Sequence, residues 1–245
     1  MAVPSHYPEV VRRALDDLIE ELEPSAPELF ALAVYGSLAR GTFRDGESDV
    51  NLAVVLTNAS PNVLASLRGP MRKAWRAARV EPLVFTRAEL PRIADAFPIK
   101  IFDIRQHHDL ILGSEPFSEL EIKWSEVRAR VEQELRNHLL RLRRTWLFAD
   151  HDARALAPPL VRSANSLLFE LEALLWLKGE ELRGLSVDQI FARAARAFDL
   201  DRAVFEELLA YRHGRRPVDL ERLFAGLLTV LEKSAEIADR IEEAP

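Results

Sequence analysis

The hydrophobic pattern of the chain changes near Phe117, and this change limits the folds that the sequence can adopt. Before Phe117, short apolar runs of strand length are mixed with helical patterns. Two of these runs, Leu29 to Tyr35 and Val50 to Leu56, are bounded by turn residues, as buried strands usually are. After Phe117, apolar residues recur only at spacings of three and four, the helical period. We therefore predict an α+β fold, with a mixed-sheet domain at 1–116 followed by an all-α helical bundle at 117–245.

Smaller features of the pattern predict the remaining elements. Pro82 lies within an apolar run and lacks an N–H group, so its strand is expected at an edge of the sheet. Asp199 and Asp201 lie where a helix start favours an acidic cap. In the first half the pattern predicts helices over 10–22, 63–78 and 90–96, and a break is expected in the second of them at Gly69-Pro70. It also predicts strands over 80–85, 99–104 and 110–112. In the second half it predicts helices over 120–146, 160–177, 187–198, 202–211 and 220–241.

The chain is acidic and contains no cysteine. Its 33 Lys and Arg residues against 39 Asp and Glu residues give a net charge of −6, which argues against a protein that coats nucleic acid. A polyanionic ligand would therefore have to be bound locally. The absence of cysteine excludes disulfide frameworks, thiolate metal sites and cysteine nucleophiles. No apolar run approaches the roughly 20 residues that span a bilayer, so we expect a cytoplasmic protein without a membrane partner.

The segment between the first two strands carries the residues most typical of a chemical site. It reads GSLARGTFRDGESD and starts directly after a buried strand. Gly36 permits a tight turn and close approach of a ligand, while Ser37 adds a hydroxyl to backbone N–H groups that can bind phosphate oxygens. Arg40 adds a bidentate donor for phosphate, or alternatively a clamp on the acidic residues of the loop. We therefore predict a nucleotide-binding turn made of Gly36, Ser37 and Arg40.

The beginning of the second strand adds a candidate metal site. Residues 49 and 51 point to the same face because side chains alternate along a strand. Carboxylates at these positions, with a third acid from a neighbouring strand, would hold hard divalent cations. Asp49 supplies one of them, position 51 is Asn51, and Glu81 on the next strand is the best candidate for the third acid.

These residues resemble the signature of the DNA polymerase beta-type nucleotidyltransferase superfamily, G-S-x-A-R-G followed by S-D-x-D-L. The matching positions are Gly36, Ser37, Ala39, Arg40, Gly41, Ser48, Asp49 and Leu52. The helical second half resembles the helical domains of minimal and kanamycin-type nucleotidyltransferases. The resemblance implies binding of a nucleoside triphosphate, with ATP as the first candidate, and transfer of a nucleoside monophosphate to an acceptor hydroxyl with the help of Mg²⁺.

The resemblance also implies roles for individual residues. Ser37 would contact the triphosphate, and Asp49, Asn51 and Glu81 would form the catalytic metal site. Asn51 departs from the signature, because an amide contributes no charge where the family has a carboxylate. Each lost close charge pair is worth about 4 kcal/mol at an effective dielectric of about 20, so Mg²⁺ binding should be weakened or lost. The chain is then an impaired or repurposed relative, or carries an engineered inactivating change, or Asp45 or Glu47 partly substitutes.

Several functional alternatives stay open at this level. The acceptor could be a small molecule, an aminoglycoside-like antibiotic, a protein or a tRNA. Glu170 or Glu172 could be the general base for the acceptor hydroxyl, or could lie on a solvated helix face. Asn51 also favours a non-catalytic nucleotide-binding or regulatory pseudoenzyme, for example an antitoxin-like protein. The very apolar helix at 160–177 suggests a homodimer formed through the helical half.

Overall fold

A computed structural model shows two compact units, Met1–Ile122 and Lys123–Pro245. The structure describes residues 3–22, 28–46, 48–149, 153–182, 184–215 and 219–242. The first unit contains strands and helices, while the elements described in the second unit are all helical. The predicted α+β fold class is confirmed. The assignment of 1–116 and 117–245 as functional domains stays a prediction.

The first unit is built on a mixed four-stranded sheet with the order β3-β2-β1-β4. The strands are β1 (Leu29–Tyr35), β2 (Val50–Leu56), β3 (Val80–Thr86) and β4 (His108–Gly113). β1 is antiparallel to both β2 and β4, whereas β2 and β3 are parallel. A parallel pair needs a crossover connection, which the helix between β2 and β3 supplies. β3, which contains Pro82, lies at an edge of the sheet as predicted.

Four helices are described in the first unit: α1 (Glu9–Leu22), α2 (Pro61–Ala78), α3 (Leu90–Ala96) and α4 (Pro98–Gln106). α2 continues through Gly69-Pro70, so the expected break is absent. The strand predicted over 99–104 is wrong, because this segment lies within α4. Its apolar residues are buried almost continuously, a pattern that does not distinguish a strand from a short buried helix. Pro98 in the first turn is a helix-start signal that decides in favour of the helix.

The central strands are held by a hydrophobic core on one face of the sheet. Alternate residues of β1 and β2 pack there with the apolar stripes of α1 and α2. The fully or almost fully buried members include Val11, Leu15, Leu18, Leu32, Val34, Leu52, Val54, Leu67 and Ile111. Because a shift of one residue would turn this apolar set away from the core, the core fixes the strand register. The ends of β1 and β2, where the candidate site lies, are therefore placed precisely.

The second unit contains helices α5 to α9 and one short 3-10 helix. They are α5 (Trp124–Phe148), the 3-10 helix Ala153–Leu156, α6 (Ala157–Leu177), α7 (Val187–Phe198), α8 (Arg202–Arg212) and α9 (Leu220–Arg240). Asp201 caps the start of α8 as predicted, since its carboxylate accepts from the N–H of Ala203 at 2.9 Å. Asp199 instead ends α7 in a left-handed conformation with φ 50°. No helix among the described residues has the length and apolar character that spanning a membrane requires.

Three polar side chains meet in the core of the second unit. His138 of α5 lies between Glu170 and Ser163 of α6, and all three residues are at most 5% exposed. The imidazole Nδ1 is 3.0 Å from a carboxylate oxygen of Glu170, and Nε2 is 2.8 Å from the Ser163 hydroxyl. Buried polar groups are stable only when they are paired, so this network ties α5 to α6 at one position.

We predict that His138→Leu lowers the free energy of unfolding by about 3–5 kcal/mol, because it leaves the buried carboxylate of Glu170 without its partner. Ser163→Ala should cost only about 1 kcal/mol, the value of one neutral hydrogen bond. Arg141→Leu, at an exposed position on the same helix, is the control and should change stability by less than about 0.5 kcal/mol. Urea unfolding followed by circular dichroism measures all three. A His138→Leu variant as stable as the control would contradict the role given to this network.

Candidate nucleotide site

The candidate site lies where the end of β1 and the start of the antiparallel strand β2 are side by side. Tyr35 pairs with Asn51 in the antiparallel ladder, so the turn that follows β1 lies beside the Asn51 side chain. Gly36 has φ +76°, which favours glycine. A Cβ at this position would lie 2.7 Å from the Asn51 Nδ2 atom. Gly36 is therefore required both by its backbone conformation and by the close approach of the Asn51 amide.

The segment from Gly36 to Gly41 forms a turn in which several backbone N–H groups have no backbone acceptor. Its internal bonds run from Arg40 N–H to the Gly36 carbonyl and from Gly41 N–H to the Leu38 carbonyl. Within the described residues, the N–H groups of Ser37, Leu38 and Ala39 form no such backbone bond, and the Ser37 hydroxyl donates to no acceptor. Consecutive backbone N–H groups without internal acceptors are the donors that bind phosphate in proteins.

Arg40 is engaged within the fold. Its guanidinium is paired with the carboxylate of Asp103 on α4, and the two side chains are only 5% and 8% exposed. The Nε atom donates to Asp103 at 3.1 Å, and an Nη atom donates to the same oxygen. The structure therefore places Arg40 as a clamp between the turn and α4. Its predicted contact with nucleotide phosphate remains a prediction.

Tyr35 lies beside this ion pair and under α4. Lys100 of α4 has its ammonium group 4.7 Å from the centre of the Tyr35 ring. Burial raises the pKa of Tyr35 to about 12, and the negative charges of Asp103 and Glu81 add to the increase. The phenol is therefore neutral at physiological pH and can donate a hydrogen bond.

Asp49, the predicted main metal ligand, has a cation beside it. The Nε atom of Arg79 is 2.7 Å from Asp49 Oδ1, an ion pair without hydrogen-bond geometry, since this buried oxygen accepts no hydrogen bond from the described residues. Arg79 ends α2 in a left-handed conformation with φ 52° and ψ 42°, and one of its Nη atoms is 3.4 Å from the Gly46 carbonyl. Non-glycine residues rarely adopt this conformation, so the chain makes an unusual backbone turn at Arg79.

Asn51 and Glu81 are neighbours across the parallel β2–β3 pair. Residues in register on adjacent strands point to the same face of the sheet, so the amide and the carboxylate share one face with Tyr35. Glu81 is exposed, as is Asp45 in the preceding loop. Glu47, the other residue that could substitute for the missing carboxylate, lies outside the described residues.

The donor set does not match that of a divalent-metal site. Asp49 already faces the Arg79 guanidinium, and Asn51 contributes a neutral amide close to Gly36. Over the described parts of the chain, no group of three or more His, Asp or Glu side chains is arranged to hold a metal ion. The residues as arranged therefore do not fit Mg²⁺, and its binding stays a prediction.

The two candidate bases on α6 are buried rather than solvated. Glu172 is 1% exposed, and Glu170 contacts His138 in the polar network described above. Sequence reasoning did not find Arg79 or Asp103 as partners of the motif residues. Arg79 carried no periodic signal, because it lies between α2 and β3 in a left-handed conformation. Asp103 had no such signal, because the strand predicted over 99–104 is a helix.

Comparison with known proteins yields a match at the level of structure. No family model matches the chain, and no curated protein matches its sequence. The solved structure of the spectinomycin adenyltransferase AAD(9) from Enterococcus faecialis, with ATP and spectinomycin, is similar with a TM-score of 0.56. The match covers 95% of this chain and 99% of that chain at 12% sequence identity. At this identity the likeness concerns the fold, and the chain therefore has the fold of a nucleotidyltransferase.

Proposed function

We propose that this protein is a nucleotidyltransferase that binds a nucleoside triphosphate at the turn from Gly36 to Gly41. The observation that carries the proposal is the set of available donors in this turn, three consecutive N–H groups and the Ser37 hydroxyl. Such donors suit the oxygens of a triphosphate. The similar adenyltransferase was solved with ATP, which makes ATP the nucleotide to test first.

In the proposed reaction, an acceptor hydroxyl attacks the α-phosphorus of the nucleotide in line with the leaving group. A bond forms between the acceptor oxygen and the α-phosphorus, and the bond from that phosphorus to the bridging oxygen breaks to release pyrophosphate. The hydroxyl proton passes to water or to the exposed carboxylate of Glu81. Catalysis rests on positioning and on the donors of the turn, and Asn51 makes it slower than a site with a second carboxylate.

Non-catalytic nucleotide binding is a second candidate function. Two observations favour it: Asn51 replaces a carboxylate, and Asp49 faces Arg79. A protein of this kind would hold the nucleotide as a signal or a structural ligand.

We expect calorimetry to detect ATP binding by the wild-type protein. Ser37→Ala should weaken this binding about fivefold, because one hydrogen bond contributes about 1 kcal/mol to the binding free energy. Ser66→Ala is a matched control, because this hydroxyl lies on the exposed face of α2 and donates to the Val63 carbonyl. Absence of ATP binding by the wild type would contradict the proposed function.

Incubation with ATP labelled at the α-phosphate distinguishes the two candidate functions. A nucleotidyltransferase transfers label to an added hydroxyl acceptor and releases pyrophosphate, whereas a non-catalytic binder returns ATP unchanged. We expect slow transfer by the wild type, and Asn51→Asp should increase it in the presence of Mg²⁺ by restoring a carboxylate. If ATP binds but neither protein transfers label to any of a panel of acceptors, the non-catalytic candidate is preferred.

Comparison of Gly36→Ala with Gly41→Ala separates the cost of backbone strain from the cost of a contact between the added Cβ and the Asn51 amide. Both glycines have a left-handed φ, so each alanine should destabilise the protein by about 1 kcal/mol. Only the Cβ at position 36 meets the Asn51 amide, because nothing lies within 4 Å of a Cβ at position 41. We expect a clearly larger loss of stability and of ATP affinity for Gly36→Ala, measured by thermal unfolding and calorimetry. Equal effects of the two variants would contradict the close packing of Gly36 on Asn51.

A further inference from the structure

The candidate nucleotide site contains a fixed cation where a metal ion would be expected to act. A divalent metal in such a site would do two things: neutralise the carboxylate at position 49 and present positive charge to the triphosphate. The donor set does not fit a metal, yet a triphosphate still needs positive charge beside the exposed Glu81 and the carboxylate of Asp49. A basic side chain of the protein itself can supply this charge.

Arg79 meets both requirements. Its Nε atom is 2.7 Å from Asp49, and 49% of its side chain is exposed. A guanidinium has five N–H donors in a rigid plane, so contact of Nε with a carboxylate leaves others available for phosphate oxygens. The backbone also brings Arg79 to the start of β2, because the N–H of Val50 donates to the Arg79 carbonyl at 3.1 Å and the next residue, Asn51, is in register with Glu81.

Two other cations near this face, Arg40 and Lys100, have partners of their own. Arg40 is buried against Asp103, and Lys100 lies over the ring of Tyr35. The Arg79 guanidinium is also held by a contact with the Gly46 carbonyl, in addition to its ion pair with Asp49. The guanidinium is therefore positioned in advance of any ligand.

We propose that Arg79 takes the place of the divalent cation at Asp49, so that this site binds a nucleoside triphosphate without a metal ion. This inference rests on the proposed nucleotide site and adds the source of its positive charge. It also accounts for Asn51, because a second carboxylate is not needed where no divalent ion has to be held.

Calorimetry of ATP with the full chain tests the inference. Wild-type protein should bind ATP with the same affinity, within about twofold, in EDTA and in excess Mg²⁺. Arg79→Gln should weaken binding about tenfold or more in EDTA, as expected for loss of a charge-assisted contact, and Arg79→Lys should retain part of it. Arg76→Gln, which removes the same charge from an exposed position in the last turn of α2, is the control and should bind like the wild type.

Folding defects are excluded by a second variant. Arg79→Gly removes the side chain at a backbone position that glycine adopts readily, so it should unfold at no lower temperature than the wild type and still lose ATP affinity in EDTA. Binding that requires Mg²⁺, or that survives in Arg79→Gly, would overturn the inference and leave the proposed function standing. No ATP binding in either condition would overturn both.

Binding of Mn²⁺ alone, followed by electron paramagnetic resonance, provides a readout that does not involve nucleotide. If Arg79 occupies the cation position, Asn51→Asp alone should bind Mn²⁺ weakly, and the double variant Asn51→Asp with Arg79→Gly should bind it about tenfold tighter. Equal Mn²⁺ affinities would show that Arg79 does not compete for Asp49 and would overturn the inference.

Discussion

The register between β1 and β2 is the constraint on which the site depends. It sets Tyr35 opposite Asn51 and thereby brings the turn after β1 against the start of β2. The buried apolar faces of both strands hold this register, since a shift of one residue would expose the core. Gly36 completes the arrangement, because any larger residue would meet the Asn51 amide. The same strand register is therefore required both by the packing of the core and by the geometry of the candidate site.

Two arginines define the electrostatics of the candidate site in different ways. Arg40 is buried and serves the fold, joining the turn to α4 through Asp103. Arg79 is half-exposed and lies beside Asp49, where its charge can act on a ligand. Burial decides this division, since a desolvated guanidinium needs its carboxylate partner, whereas an exposed one can exchange partners at little cost. The candidate site thus combines one buried ion pair that serves the fold with one half-exposed arginine that can contact a ligand.

The helical unit depends on a polar contact inside an apolar core. His138, Glu170 and Ser163 satisfy one another between α5 and α6, while most other buried residues of these helices are leucine, valine and alanine. Hydrophobic packing alone tolerates sliding of two helices, but a buried hydrogen-bonded network allows one alignment. Sequence periodicity located both helices because their apolar stripes are long. It could not pair His138 with Glu170, since the residues lie on different helices and such pairing has no periodic signal.

The sequence by itself determined the α+β class, the positions of β1 and β2, and the turn with Gly36 and Ser37, because these follow from local periodicity and backbone preference. The family resemblance implied a carboxylate at position 51, where the sequence has Asn51. Only the tertiary structure decided which charges meet: Arg40 with Asp103, and Arg79 with Asp49. The physical reason is that a side chain's partner depends on the spatial arrangement of several elements, and one of these, α4, resembled a strand in its local pattern.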